Sequence, residues 1–322
     1  MVKILILGGG GMIGQKMASR IAEGGWQGQP AHVVLYDIGF AENGAPAAQQ
    51  ICGRLNADGE AARLAALQPD VIFHLAAIVS GEAEEEFHKG WDVNMFATWY
   101  LLEALRSEHE NSGGSYRPRI VFSSSIAVFG APFPDRISDD FFTAPLTSYG
   151  AQKACCELML SDFSRKGFMD GIAIRLPTIS VRPGKPNKAA SGFFSGIIRE
   201  PLNGQEAILP VPDTVRHWHA SPRSAVGFLV HAGALDLADV GDRRVLNMPG
   251  LSCTVAEQIE ALRNIAGSDV VARIRSEPDE KIAKIVSGWP CNFDTRRATE
   301  LGFVSEQSFA EIVRAYIEDE KK

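Results

Sequence analysis

In the segment "SYGAQK", Tyr149 and Lys153 stand four residues apart, a spacing that sets two side chains on one face of a helix. The pair can do acid–base chemistry. A free phenol titrates near pH 10 and is a poor base at neutrality. A nearby ammonium stabilises the phenolate and brings that value down, so that Tyr149 can take the proton from a substrate hydroxyl. In "FSSSIAVFG", Ser123, Ser124 and Ser125 close an apolar strand pattern. A hydroxyl at that strand end can hold a substrate oxygen while its charge changes. Either motif alone has a plainer reading, a surface Tyr–Lys neighbour pair or a serine-rich turn. Their order along the chain favours the chemical one.

A third motif completes the set. "LGGGGMIG" follows the first apolar run and opens a helical pattern, matching both Gly8-x-x-Gly11-x-x-Gly14 and Gly9-x-Gly11-x-x-Gly14. Glycines there let the chain turn tightly and let a pyrophosphate approach the backbone, and the helix N-terminus presents N–H groups to the phosphates. Gly8, Gly11, Met12, Ile13 and Gly14 are therefore cofactor-binding positions. Asp37 ends the second strand pattern about 20 residues on, where a carboxylate accepts both adenosine ribose hydroxyls and repels a 2′-phosphate. The expected cofactor is NAD, and the expected chemistry is hydride transfer from the carbon whose hydroxyl Tyr149 deprotonates.

The elements that must position these groups are legible as alternating patterns. "KILILG", "HVVLYD", "DVIFHLAA", "RIVFSSS" and "GIAIRLPT" read as buried strands. Between them, residues 14–23, 61–67, 91–108 and 149–165 carry apolar residues at helical spacing. This alternation implies an α/β fold, a doubly wound parallel sheet with right-handed crossovers. After Thr178 the rhythm breaks into proline- and glycine-rich loops. Two helical patterns follow, "TVAEQIEALRNIAG" and "SFAEIVRAYIEDE", the first opened by a Thr254–Glu257 capping box. Residues 1–178, rejoined by about 221–247, are the expected nucleotide-binding domain. Residues 179–220 and 248–322 are the expected smaller C-terminal substrate lobe. The acidic run "GEAEEEF" reads as a solvated loop and helix start.

The 322 residues are 45% hydrophobic and carry a formal net charge of −7, which argues against a nucleic-acid or anionic-membrane partner and for a small molecule. Five cysteines lack metal-ligand or disulfide spacing, so no metal is expected, and the reading is a cytoplasmic protein.

The motifs "GGGGMIG", "FHLAA", "FSSSIAVFG" and "SYGAQK" resemble those of extended short-chain dehydrogenases/reductases, the superfamily of nucleotide-sugar epimerases and dehydratases, and the resemblance spans essentially the whole chain. It implies a Rossmann-type domain with Ser125 facing substrate, Tyr149 as acid/base, and Lys153 on the nicotinamide ribose. It also implies that Ala76 and Ala77 line the cofactor, that Asn94 supports the site, and that Pro177 and Thr178 pass the carboxamide. Phe129 replaces the tyrosine usual in the superfamily's "VYG", and Arg54 stands where many relatives have an Asp near the adenine, so no adenine contact is assigned to Arg54 or Asp58. A homodimer through helices of the nucleotide-binding domain is a further expectation from the superfamily.

One stretch, "VRPGKPNKAASGFF", concentrates Arg182, Lys185 and Lys188 directly after the Pro177–Thr178 strand end. The superfamily's "R-D-Y/F-x-H-V-x-D" stretch is here "RHWHASPRSAV", which keeps Arg216 but has His217 for the Asp and weakens a nucleotide-sugar reading. The segment from Arg175 to Leu202, with "LAAIVSGEAE" and "FDTRRATELGF", resembles the D-erythronate dehydrogenase family, which implies NAD-dependent oxidation of a four-carbon sugar acid at C2. A cationic loop can fix the substrate carboxylate by charge-assisted hydrogen bonds and so orient C2. Arg182 and Lys188 are the leading candidates, with Asn187, Ser191 and Ser80 as hydroxyl partners. A nucleotide-sugar 4-epimerase or dehydratase with tightly bound NAD is the alternative. A non-catalytic NAD-binding regulator is a third reading, which the Ser125–Tyr149–Lys153 set argues against.

Overall fold

The short β-branched runs pair as parallel strands, and their helices cover both faces of the resulting sheet. The computed structural model describes residues 1–41, 44–45, 48–184 and 190–321. Its first half runs β1 (Val2–Leu7), α1 (Met12–Gly24), β2 (Ala31–Asp37), β3 (Gln49–Cys52), α2 (Glu60–Ala65), β4 (Val71–His74), α3 (Ser80–Glu85), α4 (Phe87–Gly90), a π-helical turn (Trp91–Phe96), α5 (Ala97–Asn111), β5 (Arg119–Ser125), α6 (Ser148–Arg165) and β6 (Asp170–Leu176). The second half runs β7 (Thr178–Ile179), α7 (Gly192–Leu202), β8 (Ala207–Leu209), β9 (Arg216–Ala220), α8 (Pro222–Ala234), α9 (Leu237–Val240), β10 (Val245–Asn247), β11 (Leu251–Thr254), α10 (Val255–Ala266), α11 (Ser268–Val271), β12 (Ile274–Ser276), α12 (Glu280–Ser287), α13 (Arg296–Glu300) and α14 (Phe309–Glu320).

Among the described residues, seven strands form the main sheet in the order β10-β6-β5-β4-β1-β2-β3, every pair parallel. The doubly wound architecture is as the sequence pattern implies. Strand β1 shows why its sequence reads as one apolar run: Ile4 and Ile6 enter the core beneath α1 and α8, while Leu5 and Leu7 enter the core beneath α2, α5 and α6. A strand buried on both faces has no polar alternation. The order reverses between β1 and β4, so the crevice beyond their carboxyl ends is where such sheets take ligands. The loops after β1, β4 and β5 all open there.

A separate core, with Val181, Phe194, Ile198, Leu262 and Ile312 at its centre, holds the second half together. Two small sheets belong to it, β11-β9-β7 and β12-β8. The Thr254–Glu257 capping box is present at the start of α10. Ala298 and Phe303 instead reach back into the core of the main sheet.

Three differences from the sequence pattern have local causes. Strand β3 is an exposed edge with Gln49 and Gln50, so it lacks an apolar run. Strand β10 is only three residues long. The helix expected over 91–108 begins as the π-helical turn, where Asn94 is buried and bonded to the backbone of Ile78 at both ends of its amide.

Helix α6 is tied to the sheet by a buried ion pair. Arg175 on β6 donates to both oxygens of Glu157 at 2.9 Å, with the two side chains 6% and 5% exposed. Removing one member of such a pair strands a charge in the interior. Glu157→Gln should lower the unfolding free energy in a urea titration by about 3 kcal/mol, and adding Arg175→Met should recover part of that loss. An unchanged midpoint in Glu157→Gln would show that the pair contributes no net stability.

Candidate active site

The glycine loop is a backbone cradle. Gly8 has φ +82°, and a Cβ there would lie 2.8 Å from the Ala76 nitrogen, so only glycine lets the loop touch the exit of β4. Gly14 meets Gly8 and Gly9 in the same way, with 2.6 Å from its would-be Cβ to the Gly8 oxygen. Gly11 differs. Its would-be Cβ has only the Gly8 oxygen near it, at 3.4 Å, so the space beyond Gly11 is open. A side chain would fill it and a pyrophosphate can use it. Met12 and Ile13 form the first turn of the thirteen-residue α1. Asp37 accepts Gly10 N–H at 2.9 Å on one oxygen and Ile38 N–H at 2.7 Å on the other. A carboxylate has about four lone-pair sites, so acceptor capacity remains for ribose hydroxyls. The residues present fit a dinucleotide.

Across the crevice, the three serines ending β5 have three different partners. The Ser123 hydroxyl donates to the His74 carbonyl at 3.0 Å, and the Ser124 hydroxyl to Glu157 at 2.5 Å. The Ser125 hydroxyl bonds the Tyr149 phenol and accepts from Ala127 N–H. Thr147 caps α6, and Gly150 lies against the Ala127 carbonyl so closely that any Cβ at 150 would collide with it. The main chain therefore sets the distance between Ser125 and Tyr149.

Lys153 is 2% exposed and donates to the Ser123 carbonyl at 2.8 Å. Its ammonium lies 4.6 Å from the Phe122 ring centre and 5.7 Å from that of Tyr149. Burial lowers its pKa to about 8, against opposing pulls from Cys156 and Glu157. Tyr149 differs from the expected lowered phenol. Burial pushes it up to about 12, while the Ser125 hydrogen bond and the Arg182 charge pull it down. Desolvation wins over the protein's own charges, so the phenol is neutral until further positive charge arrives.

Asn94 donates to Gln152 at 2.8 Å as well as to Ile78, tying the segment after β4, which carries Ala76 and Ala77, to α6. Ser80, expected in a turn, is the first residue of α3. Pro177 links β6 to β7, and Thr178 bonds the His217 imidazole at 2.7 Å.

Four residues beyond Thr178, Arg182 is partly buried. Its guanidinium donates to Ser191 at 3.3 Å, and its charge acts on Tyr149. Its backbone is held by Ser195 and by Arg199, whose guanidinium donates to the Arg182 carbonyl at 2.7 Å. Arg199 has a carboxylate partner in Glu200, whereas among the described residues no carboxylate makes an ion pair with Arg182. Lys185, Asn187 and Lys188 lie outside the described residues. Glu157 was not singled out in the sequence, although it continues the Tyr149–Lys153 face by one more turn. His217 stood out only as a departure from the superfamily pattern, and its buried contacts were not legible.

The family model of the NAD dependent epimerase/dehydratase family matches residues 4–219. The chain is 44% identical to a D-erythronate dehydrogenase of Cupriavidus necator, over 99% of this chain and 98% of that protein. It is 38% identical to a D-erythronate dehydrogenase of Haemophilus influenzae, over 98% of this chain and 99% of that one. A crystal structure described as the nucleoside-diphosphate-sugar epimerase from Agrobacterium tumefaciens superposes with a TM-score of 0.95 at 56% identity, covering 99% of this chain and 94% of that one. By fold, glycine cradle and sequence, the chain belongs to the NAD-dependent epimerase/dehydratase family of extended short-chain dehydrogenases/reductases.

Proposed function

We propose that the protein is an NAD-dependent dehydrogenase that oxidises the C2 hydroxyl of a short sugar acid, D-erythronate, to the 2-oxo acid. The observation that carries this reading is Arg182, a guanidinium beside Tyr149 with no carboxylate partner among the described residues. A desolvated guanidinium favours an anion supplied from outside, and a carboxylate held there brings its neighbouring carbon to the phenol. The two D-erythronate dehydrogenases matched over their whole length support the same substrate.

In this reading Arg182 and Ser191 hold the carboxylate, with Lys188, Asn187 and Ser80 completing the substrate contacts. Tyr149 takes the C2 hydroxyl proton, and the Ser125 hydroxyl stays on that oxygen as it becomes a carbonyl. The C2–H bond breaks with its electron pair leaving as hydride, so the products are a 2-oxo acid, NADH and one proton. Bound NAD, held by Gly8, Gly11, Met12, Ile13, Gly14, Asp37, Ala76, Ala77, Asn94, Pro177 and Thr178, supplies the hydride acceptor and a positive ring. Lys153, fixed by the Ser123 carbonyl, points its charge at the ribose and the phenol. The substrate lobe is residues 179–220 and 248–322, set on a nucleotide-binding domain of residues 1–178 and 221–247. The setting is cytoplasmic. Exposed Phe96, Trp99, Tyr100 and Leu158, on α5, α6 and the turn before α5, are the surface of a homodimer.

Purified protein with NAD and D-erythronate should release NADH steadily, and Tyr149→Phe should reduce that rate by at least about a hundredfold. Conversion of a UDP-sugar without NADH release would replace this reading with the 4-epimerase one. Arg182→Gln should raise KM for D-erythronate about tenfold or more. Because the Arg182 charge favours the phenolate, its loss raises the Tyr149 pKa. The rising limb of kcat/KM should therefore move to higher pH, and an unmoved limb counts against Arg182 beside the base. In sedimentation the protein should run as a dimer and Leu158→Glu as a monomer, whereas a monomeric wild type would remove the homodimer.

A further inference from the structure

Two buried histidines that the chemistry does not use sit beneath the approach to Arg182. His217 and His219 alternate on β9, and both are at most 2% exposed. Their partners alternate in the same way on the neighbouring chain. His217 Nε2 bonds the Thr178 hydroxyl at 2.7 Å, and His219 Nδ1 bonds the Ser180 hydroxyl at 3.3 Å. Strand β7 runs parallel to β9 with Thr178 beside His219, and Ser180 N–H donates to the Ala220 carbonyl at 2.9 Å. The result is a ladder of two imidazole–hydroxyl rungs under the segment that enters the basic loop.

The other end of that loop rests on the same imidazoles. Phe194, in the first turn of α7, stacks on His217 with ring centres 5.1 Å apart and planes at 6°. It meets His219 edge-on at 4.8 Å. Gln258 on α10 bonds His219 Nε2 at 3.0 Å, which assigns Nδ1–H to the Ser180 rung. Trp289 and Phe309 pack on the outer sides of His217 and His219. Burial holds both rings neutral, with His217 lowered to about 3, as a hydrogen-bonding role requires.

We propose that His217 and His219 are positioning residues for substrate specificity: their ladder fixes Thr178 through Ser180 on one side of the basic loop and Phe194 on the other, and so sets where the Arg182 guanidinium stands. This inference rests on the reading of Arg182 as the carboxylate anchor. A neutral imidazole suits the task because its two nitrogens bond two elements at once without bringing a charge close to the anion.

The experiment is steady-state kinetics with NAD and D-erythronate on Ser180→Ala, His219→Gln, His217→Gln and Arg182→Ala, with NAD affinity measured by protein fluorescence. Ser180→Ala removes one rung without disturbing the packing around the rings, so it serves even where an imidazole variant fails to fold. The expected result is a KM for D-erythronate raised about tenfold in Ser180→Ala and in each imidazole variant that folds. Their kcat should stay within about twofold and NAD affinity should be unchanged, since positioning acts on substrate binding. In the Arg182→Ala background, Ser180→Ala should add nothing. Unchanged KM in Ser180→Ala while Arg182→Ala raises it would leave the anchor standing and overturn the ladder. Unchanged KM in Arg182→Ala would overturn the anchor and the ladder together. Parallel losses of kcat and NAD affinity would reduce the histidines to a structural role.

Discussion

Helix α6 buries Gln152, Lys153 and Glu157 on its sheet-facing side, with Tyr149 one turn before them, and the active region follows from the need to satisfy them. A buried polar group without a partner costs more than a typical hydrogen bond contributes, so each has a dedicated one. Asn94 takes Gln152, the Ser123 carbonyl takes Lys153, and Arg175 with Ser124 takes Glu157. These partners come from the π-helical turn, β5 and β6. The catalytic face of α6 is held in place because everything next to it on that face is hydrogen-bonded to the sheet or the neighbouring helix.

The same constraint divides labour within the serine triplet. Alternation along β5 sends successive hydroxyls to different sides, so Ser124 faces Glu157 while Ser123 and Ser125 face away from it. Ser125 is the member that meets Tyr149. The triplet is one strand end with two structural hydroxyls and one chemical one. The electrostatics are divided in a similar way. The protein alone leaves Tyr149 protonated and Lys153 only weakly committed to its charge, both through desolvation. Charge brought by ligands therefore acts on a pair that is easily tipped.

How much of this could be read in the sequence depends on whether the signal was local. The glycine loop, Asp37, the serine triplet and Tyr149–Lys153 are short motifs carried at element ends, and they stand together around the crevice. Strand β5 spans the residues its apolar run indicates, since a strand buried on both faces leaves a continuous signal. Strand β3 left none, being a polar edge. The π-helical turn left none either, because it answers to a bond between Asn94 and Ile78 that only the folded chain brings together. Arg182 was visible as a charge, but its lack of an acidic partner is a tertiary fact. The ladder of His217 and His219 needs strand register to exist at all.

The close packing of Gly150 on the Ala127 carbonyl has an evolutionary consequence. Since backbone meets backbone there, the geometry of base and hydroxyl has no side chain through which to drift. The residues that meet the rest of a substrate sit on other segments, the chain after β7 and the start of α7. A scaffold built this way can exchange one hydroxylated substrate for another by changing those segments while its proton-transfer geometry is inherited intact, and relatives named for different reactions on one backbone are the outcome that such a separation permits.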